Sequence, residues 1–224
     1  MNPVLAEILQ TQMVMTAAGE RVPLHSHLPV LEGELLQQWL GQYKPTRLLE
    51  IGLAYGVSSL YICDAVARWQ VADYQIIDAF QSTEWLGIGV QNLQRAGYGD
   101  SFVLHEQLSE LCLPQLLAQG LRFDFAFIDG WHTFDHVLLE FFYINRLLDV
   151  GGVVIFDDVH LPALQKVLAY VRHYPCYEPL SIPPNLASSK PLKVRRMMNL
   201  PPVRIAGFVK TAVDERSWEW FEDF

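Results

Sequence analysis

LLEIGLAYGVSSL, residues 48–60, is an apolar run that breaks at a carboxylate, turns through two glycines and restarts on two serines. Leu48, Leu49 and Ile51 around Glu50 read as a short buried strand. Gly52 and Gly56 supply the backbone freedom of a tight turn, and Ser58-Ser59 opens a helix. Strand, glycine turn and helix in immediate succession are the first half of a βαβ unit. The same rhythm continues downstream. YQIID (74–78), SFVLH (101–105), FAFID (125–129) and GVVIFDD (152–158) are short apolar runs, and the stretches between them have helical spacing. Helices are expected over Ser58–Trp69, Ser82–Ala96, Leu108–Gln119, Thr133–Leu148 and Leu161–Tyr174, with Thr133 as an N-cap and Gly151-Gly152 breaking the chain before the next strand. Runs apolar on both faces belong to a parallel sheet covered by helices on both sides.

In such a sheet ligands bind beyond the carboxyl ends of the strands. A dinucleotide pyrophosphate would call for G-x-G-x-x-G, but Ala54 holds the place of the middle glycine. That weakens, without excluding, an oxidoreductase reading. Asp78 ends the second strand one βαβ unit further on, where a carboxylate can accept both hydroxyls of a ribose. An acidic residue followed by G-x-x-x-G at a strand-to-helix turn resembles the first motif of class I S-adenosylmethionine-dependent methyltransferases. The resemblance implies S-adenosylmethionine as cofactor, held by Glu50, Gly52, Leu53, Ala54, Tyr55, Gly56 and Ser58, with Asp78 on the ribose and Ser109 of EQLSE (106–110) by the adenine. It also implies a three-layer Rossmann-like α/β fold, with a mainly parallel seven-stranded sheet and an antiparallel last strand at Ile205–Thr211.

FAFIDGWHTFDH, residues 125–136, runs from strand straight into Asp129, Trp131 and His132, and the next strand ends on Asp157-Asp158. Carboxylates converging at adjacent strand ends repel one another, so a positive group belongs among them. Oxygen ligands alone point to a hard cation, Mg²⁺ first, on Asp129, Asp157 and Asp158. His132 can then take a proton from a hydroxyl acidified by the ion. Trp131 is placed to wall the pocket or to stack on a flat substrate or the adenine, and Asp129 and Trp131 join the cofactor set. The pattern resembles the catechol O-methyltransferases, which have Asp, then Lys three residues on, then Asp-Asn. Asp-Gly-x-His followed by an acidic pair is nearer to the macrocin and mycinamicin type of metal-dependent O-methyltransferase. The resemblance spans about Leu24 to Tyr174 and implies methyl transfer to a hydroxylated small molecule, a sugar, polyketide or catechol. A non-catalytic cofactor-binding module is the further alternative.

The rest of the chain sets limits. Its 224 residues are 51% apolar, enough for one core. A formal charge of −9 and a pI near 5.2 argue against nucleic acid or an anionic membrane as the main partner. Cys63, Cys112 and Cys176 are odd in number and lack metal-ligand spacing, as in a reduced cytoplasmic protein. One methyltransferase domain is expected over 1–224: an arm and helix (1–45), a cofactor-binding core (46–175), and a variable part (176–224) with a substrate-facing loop at 181–202, the last strand and the aromatic tail RSWEWFEDF. That tail is free to dock on the body or on a second copy in a homodimer or larger assembly. His25 and His27 in the arm read as ordinary exposed histidines, and His136 with Glu140 as a surface hydrogen bond. The basic KVRR segment reads as a solvated loop.

Overall fold

Apolar spacing and capping account for the elements of the computed structural model, which describes residues 1–198 and 202–224. The chain forms two compact units, Met1–Ser109 and Glu110–Phe224. In the first, α1 (Pro3–Thr11) starts on a proline, with the Asn2 side chain accepting from the Val4 N–H at 2.9 Å. A small antiparallel hairpin follows, β1 (Met13–Met15) with β2 (Arg21–Pro23). Neither α1 nor the hairpin is expected from the sequence, in which residues 17–29 read as an arm. Next, α2 (Val30–Tyr43) buries Leu31, Leu35, Leu36, Trp39 and Leu40 on one face. Then β3 (Arg47–Ile51), α3 (Val57–Val66), β4 (Asp73–Ile77), α4 (Ile88–Arg95) and β5 (Val103–His105) alternate, and the strands pair in parallel in the order β5-β4-β3.

The helix expected over 82–96 shortens to α4. Residues ahead of it form turns, closed by Leu86 and Gly87 at φ 53° and 68°, backbone a helix cannot absorb.

The second unit opens with α5, whose first residue is Ser109 (Ser109–Ala118), and continues through β6 (Phe123–Ile128), α6 (Phe134–Leu147), β7 (Leu148–Phe156), α7 (Pro162–Val171) and β8 (Tyr177–Pro179). Two short helices, α8 (Pro184–Ala187) and α9 (Lys190–Met197), precede β9 (Ala206–Lys210). Strand order here is β6-β7-β9-β8, with β9 antiparallel to both neighbours. In all, seven strands form the mainly parallel sheet, and its last strand runs antiparallel as expected.

Three local expectations change. Gly151-Gly152 does not break the chain before β7 but lies inside it. The register steps from Phe123 opposite Leu148 to Phe125 opposite Val153, so the glycines absorb a bulge in a continuous strand. Thr133 is the N-cap residue of α6 by position, yet its side chain makes no capping hydrogen bond. The segment 181–202, read as an aperiodic loop, is helical at α8 and α9, and residues 199–201 of it lie outside the described ones.

The aromatic tail packs within its own unit. Phe224 stacks on Phe134, Trp220 meets Tyr170 and Tyr174, and the Arg216 guanidinium lies 3.4 Å from the centre of the Tyr174 ring. Arg216 also grips Asp214 with two bonds, and Asp214 accepts from Asn145 at 2.7 Å. The buried Lys210 ammonium donates to the Asn145 and Leu148 carbonyls at 2.6 and 2.9 Å, satisfying the C-terminal end of α6.

Candidate active site

The glycine turn is built as a backbone cage. Gly52, Ala54 and Gly56 all have positive φ, of 93°, 46° and 78°. Alanine in that region is strained, and Asp78 supports it: its Oδ2 accepts from the Leu53 and Ala54 N–H groups at 3.0 and 2.8 Å and from Gln81 at 3.1 Å, while Oδ1 accepts from the Phe80 N–H at 2.9 Å. Gln81 and Asn92 tie the carbonyls of Ala54 and Tyr55 at 2.9 and 3.0 Å. A Cβ on Gly89 would lie 2.4 Å from the Ala54 carbonyl oxygen, so α4 can sit against the turn only through a glycine. Gln81, Gly89 and Asn92 were not foreseen from sequence.

Glu50 corrects an expectation. It is fully buried, and both of its oxygens are taken: Ser58 and Ser59 donate to it at 2.5 and 2.6 Å, and so does the Tyr74 hydroxyl. It shapes the start of α3 from behind and offers no surface to a ligand; the Ser58 hydroxyl is occupied in the same way. Burial pushes the Glu50 carboxyl up to about 7, against the pull of its three hydroxyl donors. A folded-state value above the ordinary 4.5 favours the protonated native state. The associated stability is therefore present below pH 4.5 and lost as pH climbs through 7, by ~3 kcal/mol. Urea unfolding between pH 4.5 and 8 should show that loss in the wild type and a difference curve of matching size against Glu50→Gln. A flat difference would mean that Glu50 is not held protonated.

Tyr55 is buried, and its hydroxyl lies 2.8 Å from His25 Nε2; both rings meet Trp85. His25 is thus an exposed residue bonded to the glycine turn, more than the free surface histidine expected. Leu53 and Ser109 are buried as well.

In the second unit the Asp157 N–H donates to the Ile128 carbonyl at 3.0 Å, extending the β6–β7 ladder past both strands. The two acidic strand ends therefore lie side by side. Asp157 is 6% exposed, and its Oδ1 has no hydrogen-bond partner. Burial, then Asp129 and Asp158, hold its carboxyl well above the usual carboxylate range. His132 Nε2 lies 3.5 Å from Asp129 Oδ1 and 3.2 Å from Asp158 Oδ2. Asp158 itself has φ 49°, and its Oδ1 accepts from Arg204 Nη2 at 2.9 Å. A positive side chain, Arg204, is thus paired with one of the three carboxylates. Arg204 was missed because it lies past the recognisable motifs, and only the register of the last strand brings it here. Trp131 is 57% exposed. His136 finds Glu110 at 3.3 Å in addition to Glu140 at 3.9 Å.

The Methyltransferase domain family matches residues 49–159, the interval that contains both the glycine turn and the acidic strand ends. Over those residues, just under half of its length, the chain matches a methyltransferase domain. Catechol O-methyltransferase B of Danio rerio is 28% identical to this chain over 151 residues, 66% of this chain and 55% of that protein. Caffeoyl-CoA O-methyltransferase 1 of Eucalyptus globulus is 28% identical over 151 residues, covering 64% and 59%. The chain thus spans little more than half the length of the curated relatives it matches. Among solved structures, the O-methyltransferase TomG of Streptomyces achromogenes in complex with SAM superposes with a TM-score of 0.67 at 17% identity, covering 95% and 91% of the two chains. The O-methyltransferase of Bacillus cereus in complex with SAH gives 0.64 at 21% identity, covering 94% and 92%.

By charge and donor type the acidic strand ends suit a hard divalent ion. Asp129, Asp157 and Asp158 carry three negative charges when ionised and Arg204 one positive, a balance that one divalent cation would neutralise. The unpartnered Oδ1 of Asp157 is the oxygen most in need of it. Among the described residues, however, no three such side chains are gathered closely enough to hold an ion. Ligation requires the carboxylates to turn toward one another, and Arg204 and His132 lie against Asp158 instead. No helix among the described residues is long and apolar enough to cross a membrane.

Proposed function

We propose that this chain catalyses S-adenosylmethionine-dependent O-methylation of a small hydroxylated molecule, assisted by a divalent cation, Mg²⁺ first. The observation that carries the reading is His132 set between Asp129 and Asp158, the two carboxylates whose charges act on the buried, unpartnered Asp157. An imidazole there accepts the acceptor's hydroxyl proton, and the cation formed on the ring is met by two carboxylates. Asp129, Asp157 and Asp158 would hold the ion. The cofactor supplies a methyl group on a sulfonium, already a good leaving group, and the ion makes a hydroxyl easier to deprotonate. The chain's task is therefore mainly placement of the attacking oxygen. Gly52, Leu53, Ala54, Tyr55, Gly56 and Asp78 would form the cofactor cradle, with Ser109 completing it. Asp78 Oδ1, with a single donor, keeps lone-pair capacity for a ribose hydroxyl. The relatives whose names include catechol and caffeoyl-CoA favour an aromatic hydroxyl over a sugar or polyketide one, and Trp131 offers such a ring a stacking surface.

Calorimetric titration of S-adenosylhomocysteine with and without Mg²⁺, followed by turnover on a panel of catechols and hydroxycinnamoyl thioesters, tests the reading. Micromolar cofactor binding and turnover abolished by a chelator are expected. Turnover that survives chelation removes the ion from the proposal, and absence of cofactor binding removes the proposal itself.

A further inference from the structure

We infer that Arg204 is the internal cation with which a divalent ion competes for Asp158, so that this residue sets the affinity of the acidic centre for metal. The inference rests on the reading of that centre as an ion site. Its basis is the register of the last strand. Phe156 of β7 pairs with Ala206 of β9 in antiparallel sense, and two steps further out the same register brings Arg204 opposite Asp158. The backbone continues the pairing there, with the Val159 N–H donating to the Arg204 carbonyl at 2.9 Å. The root of the side chain is thereby fixed where its guanidinium reaches Asp158 Oδ1 at 2.9 Å and lies 3.3–3.4 Å from the ring nitrogens of His160. Asp158 in turn is held with φ 49°, a left-handed conformation that aspartate tolerates better than most residues.

An ion drawing on the same carboxylate must replace a charge-assisted hydrogen bond and overcome repulsion from the guanidinium. Both effects weaken ion binding, and both vanish when the guanidinium is removed. Arg204 belongs to no motif of the cofactor core; the control comes from the residues that lead into the chain's last strand.

Titration of Mn²⁺ into the 224-residue chain, followed through the paramagnetic resonance signal of the free ion, tests this without a substrate. Arg204→Ala should bind Mn²⁺ at least tenfold more tightly than wild type, and Arg204→Lys, which keeps the charge but loses the fork, should gain less. Arg172→Ala removes an exposed positive charge elsewhere in the unit and should change affinity less than twofold. On an Asp158→Asn background the gain from Arg204→Ala should disappear. Saturable binding of equal affinity in wild type and Arg204→Ala, or an equal gain from Arg172→Ala, overturns the competition and leaves the ion site standing. No saturable binding in any variant overturns the ion site, and the competition with it.

Discussion

His132→Ala should lower methyl transfer by ~10²- to 10⁴-fold, the range associated with loss of a general base, while S-adenosylhomocysteine affinity stays within about twofold of wild type. The two readouts separate because of where the residue lies. His132 Nε2 is 3.2 Å from Asp158 and 3.5 Å from Asp129, whereas the glycine turn is held by Asp78, Gln81 and Asn92. A third of the His132 side chain is exposed, so truncation leaves neither a large cavity nor a buried unpaired group, and the fold should tolerate it. His132→Gln keeps the polarity and much of the reach without a basic nitrogen and should be as inactive as alanine. If glutamine restores turnover, His132 positions a ligand or an acceptor and another group takes the proton. Rapid-quench measurement of S-adenosylhomocysteine formation on a catechol from the active panel would read the chemical step directly.

The glycine turn was legible because its signals are local. Glu50, Gly52, Gly56 and Asp78 are spaced by one strand, one turn and one βαβ unit, and each residue type answers to a backbone requirement that can be read along the chain. Even so, proximity in sequence misassigned Glu50. The motif places a carboxylate at the strand end, but only packing reveals that Ser58, Ser59 and Tyr74 occupy it from the buried side. Gln81, Gly89 and Asn92 were hidden for a different reason. A polar residue in a turn or on a helix has no periodic signature, and its partner here is a carbonyl some 25 to 40 residues earlier. Arg204 is the extreme case. An antiparallel strand was expected at 205–211, yet strand pairing reverses meaning with every one-residue shift, and nothing in VRIAGFVK specifies that Ala206 pairs with Phe156. The acidic strand ends were readable; their counter-charge depended on a register. The tail shows the same limit, since RSWEWFEDF fits either an intramolecular or an intermolecular dock, and the contacts of Arg216, Trp220 and Phe224 choose the first.

Asp78→Ala should abolish measurable S-adenosylhomocysteine binding, with at least a hundredfold loss, and lower folding stability by ~2–5 kcal/mol. The double effect follows from its geometry. One carboxylate satisfies the N–H groups of Leu53, Ala54 and Phe80, and Ala54 depends on it to stay at φ 46°. Without it three buried or half-buried donors lose their acceptor, and the turn relaxes away from a conformation that alanine does not favour. Loss of binding in that variant alone could reflect a collapsed turn as readily as a missing ribose contact, so Asp78→Asn is the decisive companion. Its single oxygen can still face Leu53 and Ala54, which preserves the turn and gives up the bond from Phe80. Urea unfolding should therefore place Asp78→Asn within about 1–2 kcal/mol of wild type. Its affinity should nevertheless fall ~10- to 100-fold if Oδ1 receives a ribose hydroxyl in the charged form, because a charge-assisted bond is replaced by a neutral or mismatched one. Wild-type affinity in Asp78→Asn, with the turn intact, would assign Asp78 to the architecture of the glycine turn alone and move ribose recognition to another group.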